Sequence, residues 1–218
     1  MTSDELGFSV VRDHDDFIIV YKQHGIDMHD DEGVAGLVTR VTQFLGAKVF
    51  PVHRLDKVTS GLVLLAKTEE ANRELSMAFA DRKVAKQYIA ISDKKPKKKQ
   101  GWIKGDMAKS RNGCWKLTKE MKNPAITWFN STSLPTERHR IYFIKPMTGK
   151  THQIRVALKS IGAPILGDVR YGGTTTEHVY LHAFRLAFEY QSVEFTTEVW
   201  PEWGEIIGSS SNFRDFIP

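Results

Sequence analysis

A chain of 218 residues with 41% hydrophobic content is long enough to bury a sizeable core, as one large domain or two small ones. Its single cysteine, Cys114, excludes an internal disulfide and a cysteine-rich zinc site, and reads as a small filler in a strand. Charge is uneven: residues 51–170 carry 25 Lys and Arg against 10 Asp and Glu while the flanks are acidic, which makes a polyanion, RNA or DNA, the leading partner.

The N-terminal "MTSDELGFSV" is acidic and lacks the basic start and apolar h-region of a signal peptide. No apolar run is long enough to span a bilayer, so the expected location is cytoplasmic, with no membrane partner. Phe17 to Tyr21, "FIIVY", and Leu62 to Ala66, "LVLLA", are short continuous apolar runs that read as interior strands. Between the second run and Lys83 the pattern predicts a helix capped by Thr68, with Glu69 and Glu70 at its positive end and Ala71, Leu75, Ala78 and Phe79 on one face. "KVAKQYIAI", Lys83 to Ile91, reads as a strand with Val84, Lys86, Tyr88 and Ala90 on one side.

"SDKKPKKKQG", Ser92 to Gly101, reads as an exposed loop, either simply solvated or touching nucleic acid. Asn112-Gly113 signals a hairpin between "WIKGDM" and "CWKLT", and "AITWFNSTS" and "RIYFIKP" read as two further strands. "THQIRVALKSIG" predicts a short helix with an apolar stripe of Ile154, Ala157, Leu158 and Ile161, ended by Gly162 and Pro164. A last strand pair, about Tyr180 to Phe188 and Val193 to Val199, completes an α+β chain: a mainly antiparallel mixed central sheet with flanking helices.

There is no GxGxxG and no Walker loop. His178 and His182 fall in a segment that reads as strand, where four residues span ~13 Å, too far to share a metal. The expectation is a mechanism with no cofactor and no metal. Attention then falls on Asp56 in "HRLDKVTSGLVLLAKT", a carboxylate flanked by Arg54 and Lys57 directly before an interior strand. Two readings compete at this point: an Asp that ties a turn by hydrogen bonding its own backbone, as Thr59 and Ser60 also can, and a catalytic carboxylate.

"HRLDKVTSGLVLLAK" closely resembles the central motif of the RluA-type pseudouridine synthases, HRLDxxTSGLLLLAK. "KQYIA" (Lys86 to Ala90) is similar to the family's strand bearing the active-site tyrosine, "TGKTHQIRV" (Thr148 to Val156) to its TGRTHQIRVH segment, and "PILGDVRYGG" and "LHAFRLAF" match the segments that follow. The resemblance runs from about Phe17 to Trp200 of a chain taken as one catalytic domain, 1–218. It departs twice. The early nKPxG segment is "YKQHG" here, keeping Lys22 and Gly25 without the proline, and there is no room before Phe17 for the S4-type RNA-binding domain that many relatives carry.

The resemblance implies an isomerase that detaches uracil from C1′ of its ribose, turns the base and rejoins it through C5, acting on rRNA or tRNA; a monomer is expected. It implies Asp56 as nucleophile or base, Arg155 as the cation paired with it, and Tyr88 as the ring stacked on the uracil. Ile154 would close an apolar wall, and Arg54, assisted by His53, would occupy or steer around the gap left by the displaced base. Each has a plainer counterpart: a surface or phosphate contact for Arg155, core packing for Tyr88 and Ile154, an ion pair for Arg54. Two other classes fit the basic middle, a non-catalytic RNA-binding or ribosome-assembly factor and a glycosidase that releases the base.

Overall fold

The computed structural model describes residues 6–134, 138–207 and 214. In chain order the elements are β1 (Phe8–Asp13), β2 (Phe17–Lys22), α1 (Leu37–Leu45), β3 (Phe50–Pro51), β4 (Ser60–Ala66), α2 (Glu69–Ala80), β5 (Ala85–Ser92) and β6 (Gln100–Gly105). They continue with β7 (Met107–Lys109), β8 (Trp115–Leu117), β9 (Ala125–Ser133), β10 (Arg140–Pro146), α3 (Gln153–Ser160), β11 (Leu181–Tyr190), β12 (Val193–Glu198) and α4 (Gly204–Ile207). The chain is α+β, as expected, and its strands pair almost wholly antiparallel. It divides into two compact units, one from the described residues of Met1–Ala85 with Ala183–Val199, the other from those of Lys86–His182 with Trp200–Pro218.

In the first unit β2 lies between β1 and β4, β3 pairs with the end of β4, β11 lies beside β4, and β12 pairs with β11. Every residue of β4 is buried, which is why "LVLLA" shows no alternation: both of its faces are covered. Phe17, Ile19, Leu62 and Leu64 share a core with Leu75 of α2 and with Leu186, Phe188 and Tyr190 of β11. The helix starts where the capping pattern placed it, with Thr68 Oγ1 accepting the Ala71 N–H at 3.2 Å. Three elements of this unit carried no signal strong enough to read, β3 being only two residues long. β1 alternates only weakly, and α1 buries just Leu37 and Val41, its start held by Asp30, which accepts from Gly36 N–H at 2.9 Å and Thr39 Oγ1 at 2.7 Å.

In the second unit the strand order is β5-β10-β9-β6, all antiparallel. Register pairs Tyr88 with Ile144 and Ile144 with Phe129, which sets these side chains on one face. The N-terminus of α3 docks on that face through Gln153, whose Nε2 donates to Ile126 O and Thr127 Oγ1, both at 3.0 Å. Two expectations are corrected. The Asn112-Gly113 turn joins β7 to β8 rather than "WIKGDM" as a whole to "CWKLT", because the strand is interrupted at Asp106 and the turn widens into a short 3-10 helix with Asn112 at φ 55°. Cys114 sits in that turn, one residue before β8, with Sγ 3.6 Å from Arg170 O, and so is not a strand residue.

Gly61 shows how tightly the first unit is built. A Cβ added there would lie 2.3 Å from Ala183 O and 2.6 Å from Ala183 N of the neighbouring strand, and its φ is +114°. Gly61→Ala must therefore push two strands apart and also hold a backbone conformation that L-residues avoid. It should cost about 2–5 kcal/mol of stability in urea unfolding; an unchanged unfolding midpoint would contradict this packing.

Candidate active site

Three of the six candidate residues lie in the first unit. His53, Arg54 and Asp56 occupy the segment between β3 and β4. Asp56 is half-buried and opens a turn closed by its backbone, the Thr59 N–H donating to Asp56 O at 2.9 Å. That turn is anchored from beneath by the "YKQHG" segment: Gly25 N–H donates to Lys57 O at 2.8 Å, and Lys22 Nζ donates to the carbonyls of Gln23, Ile26 and Lys57 at 2.9, 2.8 and 3.3 Å. Lys22 is fully buried. Burial drives its pKa down to about 7, and the negative charges of Asp27 and Asp56 hold it from falling further. The retained lysine and glycine of "YKQHG" thus support the loop that carries Asp56, and the missing proline leaves both contacts intact.

Arg54 is exposed and forms no ion pair among the described residues. His53 is engaged with the scaffold: its Nε2 accepts the Leu64 N–H at 2.9 Å, which fixes the neutral tautomer with the proton on Nδ1, and its ring stacks on Phe79 at 4.5 Å.

The other three lie in the second unit. Tyr88 is 9% exposed on β5, and two residues before it, on the same side, Lys86 has its pKa lowered by burial. Ile154 and Arg155 are both buried on α3. The helix enters through His152 in the left-handed region, φ 56°, without a side-chain cap. Its first turn is tied by Gln153 Oε1 instead, which accepts from Lys150 N–H at 3.0 Å and Thr148 Oγ1 at 2.7 Å.

Arg155 forms a bidentate pair with Asp168, Nε to Oδ2 at 2.7 Å and Nη2 to Oδ1 at 2.8 Å, and its guanidinium carbon lies 4.9 Å from the Tyr171 ring centroid. The Tyr171 hydroxyl is 2.7 Å from His152 Nδ1 and accepts the Trp115 N–H at 3.0 Å. Asp168 and Tyr171 were not singled out from sequence, although both lie in the quoted "PILGDVRYGG". A buried arginine has to find a carboxylate, and that requirement was the available signal.

With this geometry in place, comparison with known proteins is direct. Residues 16–160 match the family model described as RNA pseudouridylate synthase. An uncharacterized RNA pseudouridine synthase of Haemophilus influenzae is 49% identical over 199 residues, 90% of this chain and 88% of that protein. A ribosomal large subunit pseudouridine synthase C of Rickettsia bellii is 34% identical over 80% of this chain, which spans 61% of that longer protein. The solved structure of human RNA pseudouridylate synthase domain containing 1 superposes with a TM-score of 0.80 over 96% of this chain and 90% of that one, at 21% identity, and so supports the fold. The chain belongs to the RNA pseudouridine synthase family, and with it to the isomerases that act on RNA.

Two measurements test these supports. Because the Asp56 charge raises the Lys22 pKa, Asp56→Asn should move the Lys22 titration from about 7 to lower pH, read by NMR of the lysine side-chain signals; an unmoved titration would separate the two groups. Asp168→Asn keeps the shape of the side chain but leaves a permanently charged guanidinium without its buried counter-charge, and should lower stability by about 3–5 kcal/mol. A loss under about 1 kcal/mol, the range of exposed pairs, would contradict the burial of this pair.

Proposed function

We propose that this protein converts specific uridines of a structured RNA, in rRNA or tRNA, to pseudouridine, with Asp56 as nucleophile or base. The observation that carries the reading is Asp56 itself, a carboxylate on a turn that backbone groups close and that Lys22 and Gly25 hold from beneath. Main-chain groups fix this turn and so fix where the carboxylate stands. The name of the Rickettsia relative favours large-subunit rRNA as the substrate.

The reaction breaks the N1–C1′ bond, forms C5–C1′, and the proton lost from C5 is balanced by the one gained at N1. Electrons balance without a redox partner, so no cofactor is called for, and the place of action is the cytoplasm. In its ionised form Asp56 attacks C1′ or C6 or abstracts a ribose proton. In this reading Tyr88 holds the flat face of the loosened base and Ile154 contributes apolar wall. Arg155, held in place by Asp168 and the Tyr171 ring, is in this reading the cation that serves the carboxylate. Arg54, exposed beside Asp56, takes the place of the flipped nucleotide, and His53 orients that segment from within.

Asp56→Asn retains the shape of the side chain and its accepting oxygen while removing the charge. The variant should fold and bind RNA as well as wild type, while conversion of a transcribed rRNA or tRNA stem-loop, read by carbodiimide-dependent reverse-transcription stops, falls about 10³-fold or more. Wild-type conversion by the folded variant would remove Asp56 from the chemistry. Binding without conversion by the unmodified protein on every RNA offered would favour a non-catalytic RNA-binding factor, and release of free uracil a glycosidase.

A further inference from the structure

The sheet of the second unit has a second face, turned away from Tyr88. Register pairs Trp102 of β6 with Trp128 of β9, Gln100 with Asn130, and Trp128 with Lys145 of β10. Strand alternation then places Trp102, Lys104, Trp128 and Lys145 together on the face opposite Tyr88, Ile144 and Phe129. Trp102 is 48% exposed and Trp128 half-buried. Each indole has an ammonium over it, Lys104 Nζ at 5.1 Å from the Trp102 ring centroid and Lys145 Nζ at 5.2 Å from that of Trp128. No carboxylate stands at the facing positions of β6 and β9, and the exposed lysines of Lys94 to Lys99 lead into β6, which has β9 as its one sheet partner among the described residues.

A cross-strand tryptophan pair can simply stabilise a sheet. Two flat rings, each flanked by an exposed lysine that forms no ion pair among the described residues, fit a particular ligand better: alternating flat apolar groups and negative charges. Single-stranded nucleic acid has that pattern, whereas a duplex hides its base faces. We propose that this face holds a single-stranded stretch of the RNA substrate, its bases stacked on Trp102 and Trp128, with Lys104 and Lys145 moving from the rings onto the flanking phosphates. The identity of the nucleic acid as RNA rests on the proposed function. The face itself lies on the other side of the sheet from Tyr88, so it is an additional contact and not part of the uridine site.

Binding of a labelled single-stranded oligoadenylate of about twelve nucleotides tests this, because it offers bases to stack but no uridine to convert. By fluorescence anisotropy Trp102→Ala should raise Kd about tenfold, while Trp102→Phe, which keeps a stacking ring, stays within about threefold of wild type. The double variant Lys104→Gln with Lys145→Gln should flatten the dependence of log K on log salt by about 1.4. Asp56→Asn should bind the oligoadenylate as wild type does. Should Trp102→Ala fail to fold in a circular dichroism melt, Trp102→Leu, which keeps apolar bulk without a stacking ring, and the lysine double variant carry the test. Absence of oligoadenylate binding by wild type, a wild-type Kd for a folded Trp102 variant that lacks an aromatic ring, or a wild-type salt slope for the lysine double variant would overturn the proposal and leave a purely structural tryptophan pair. Ring- and lysine-dependent binding by a protein that converts no uridine would overturn the catalytic reading alone.

Discussion

The Lys22 ammonium lies inside the first unit, donating to three backbone carbonyls, and much of the geometry around Asp56 depends on it. An ammonium group removed from water costs several kcal/mol unless its donors are satisfied, and carbonyl dipoles compensate only in part. The residual cost is what lowers its pKa to about 7. One of the three carbonyls belongs to Lys57, which also accepts from Gly25, so the chain just after Asp56 is held by two donors from one earlier segment. The same ammonium contributes a positive field at the Asp56 carboxylate.

The second unit solves a related problem with different chemistry. Arg155 is almost completely buried, but it cannot shed its charge as a lysine can, and it is matched to a carboxylate by a two-point contact. The pair is held by its surroundings: Asp168 begins the 3-10 turn that carries Tyr171, and the Tyr171 ring lies against the guanidinium. Gln153, at the start of the same helix, plugs into the sheet through two hydrogen bonds and ties the preceding turn through two more. The cation in the first unit is titratable near neutrality, and that of the second is permanent.

Much of this was legible in the chain because the signals were local. The continuous apolar runs became β2 and β4, and Thr68 capped α2 because an N-cap needs only three residues to act. Helix α1 was not legible: its start depends on Asp30, six residues before Gly36, and a stripe of two buried residues is too short to show a period. Partners distant in sequence were equally hidden. Nothing near His53 announces that its ring serves Leu64 N–H and Phe79, and nothing near Arg155 points to Asp168 rather than another acidic residue. Trp102 and Trp128 could each be assigned to a strand, but only the pairing register reveals that they stand opposite each other.

The open flank of β6 has a consequence for how the protein behaves in a crowded solution. A strand with no further sheet partner on one flank, as for β6 among the described residues, is a template for adding another chain, and a flat one with a tryptophan pair on its face would be prone to self-association. Here the run of lysines entering the strand, Lys104 within it, and the glycines Gly101 and Gly105, both at positive φ, oppose such growth by charge repulsion and by breaking the regular pleat. Neutralising those lysines would relax the guard on this edge, and the purified protein would become more prone to aggregate in proportion to the charge removed.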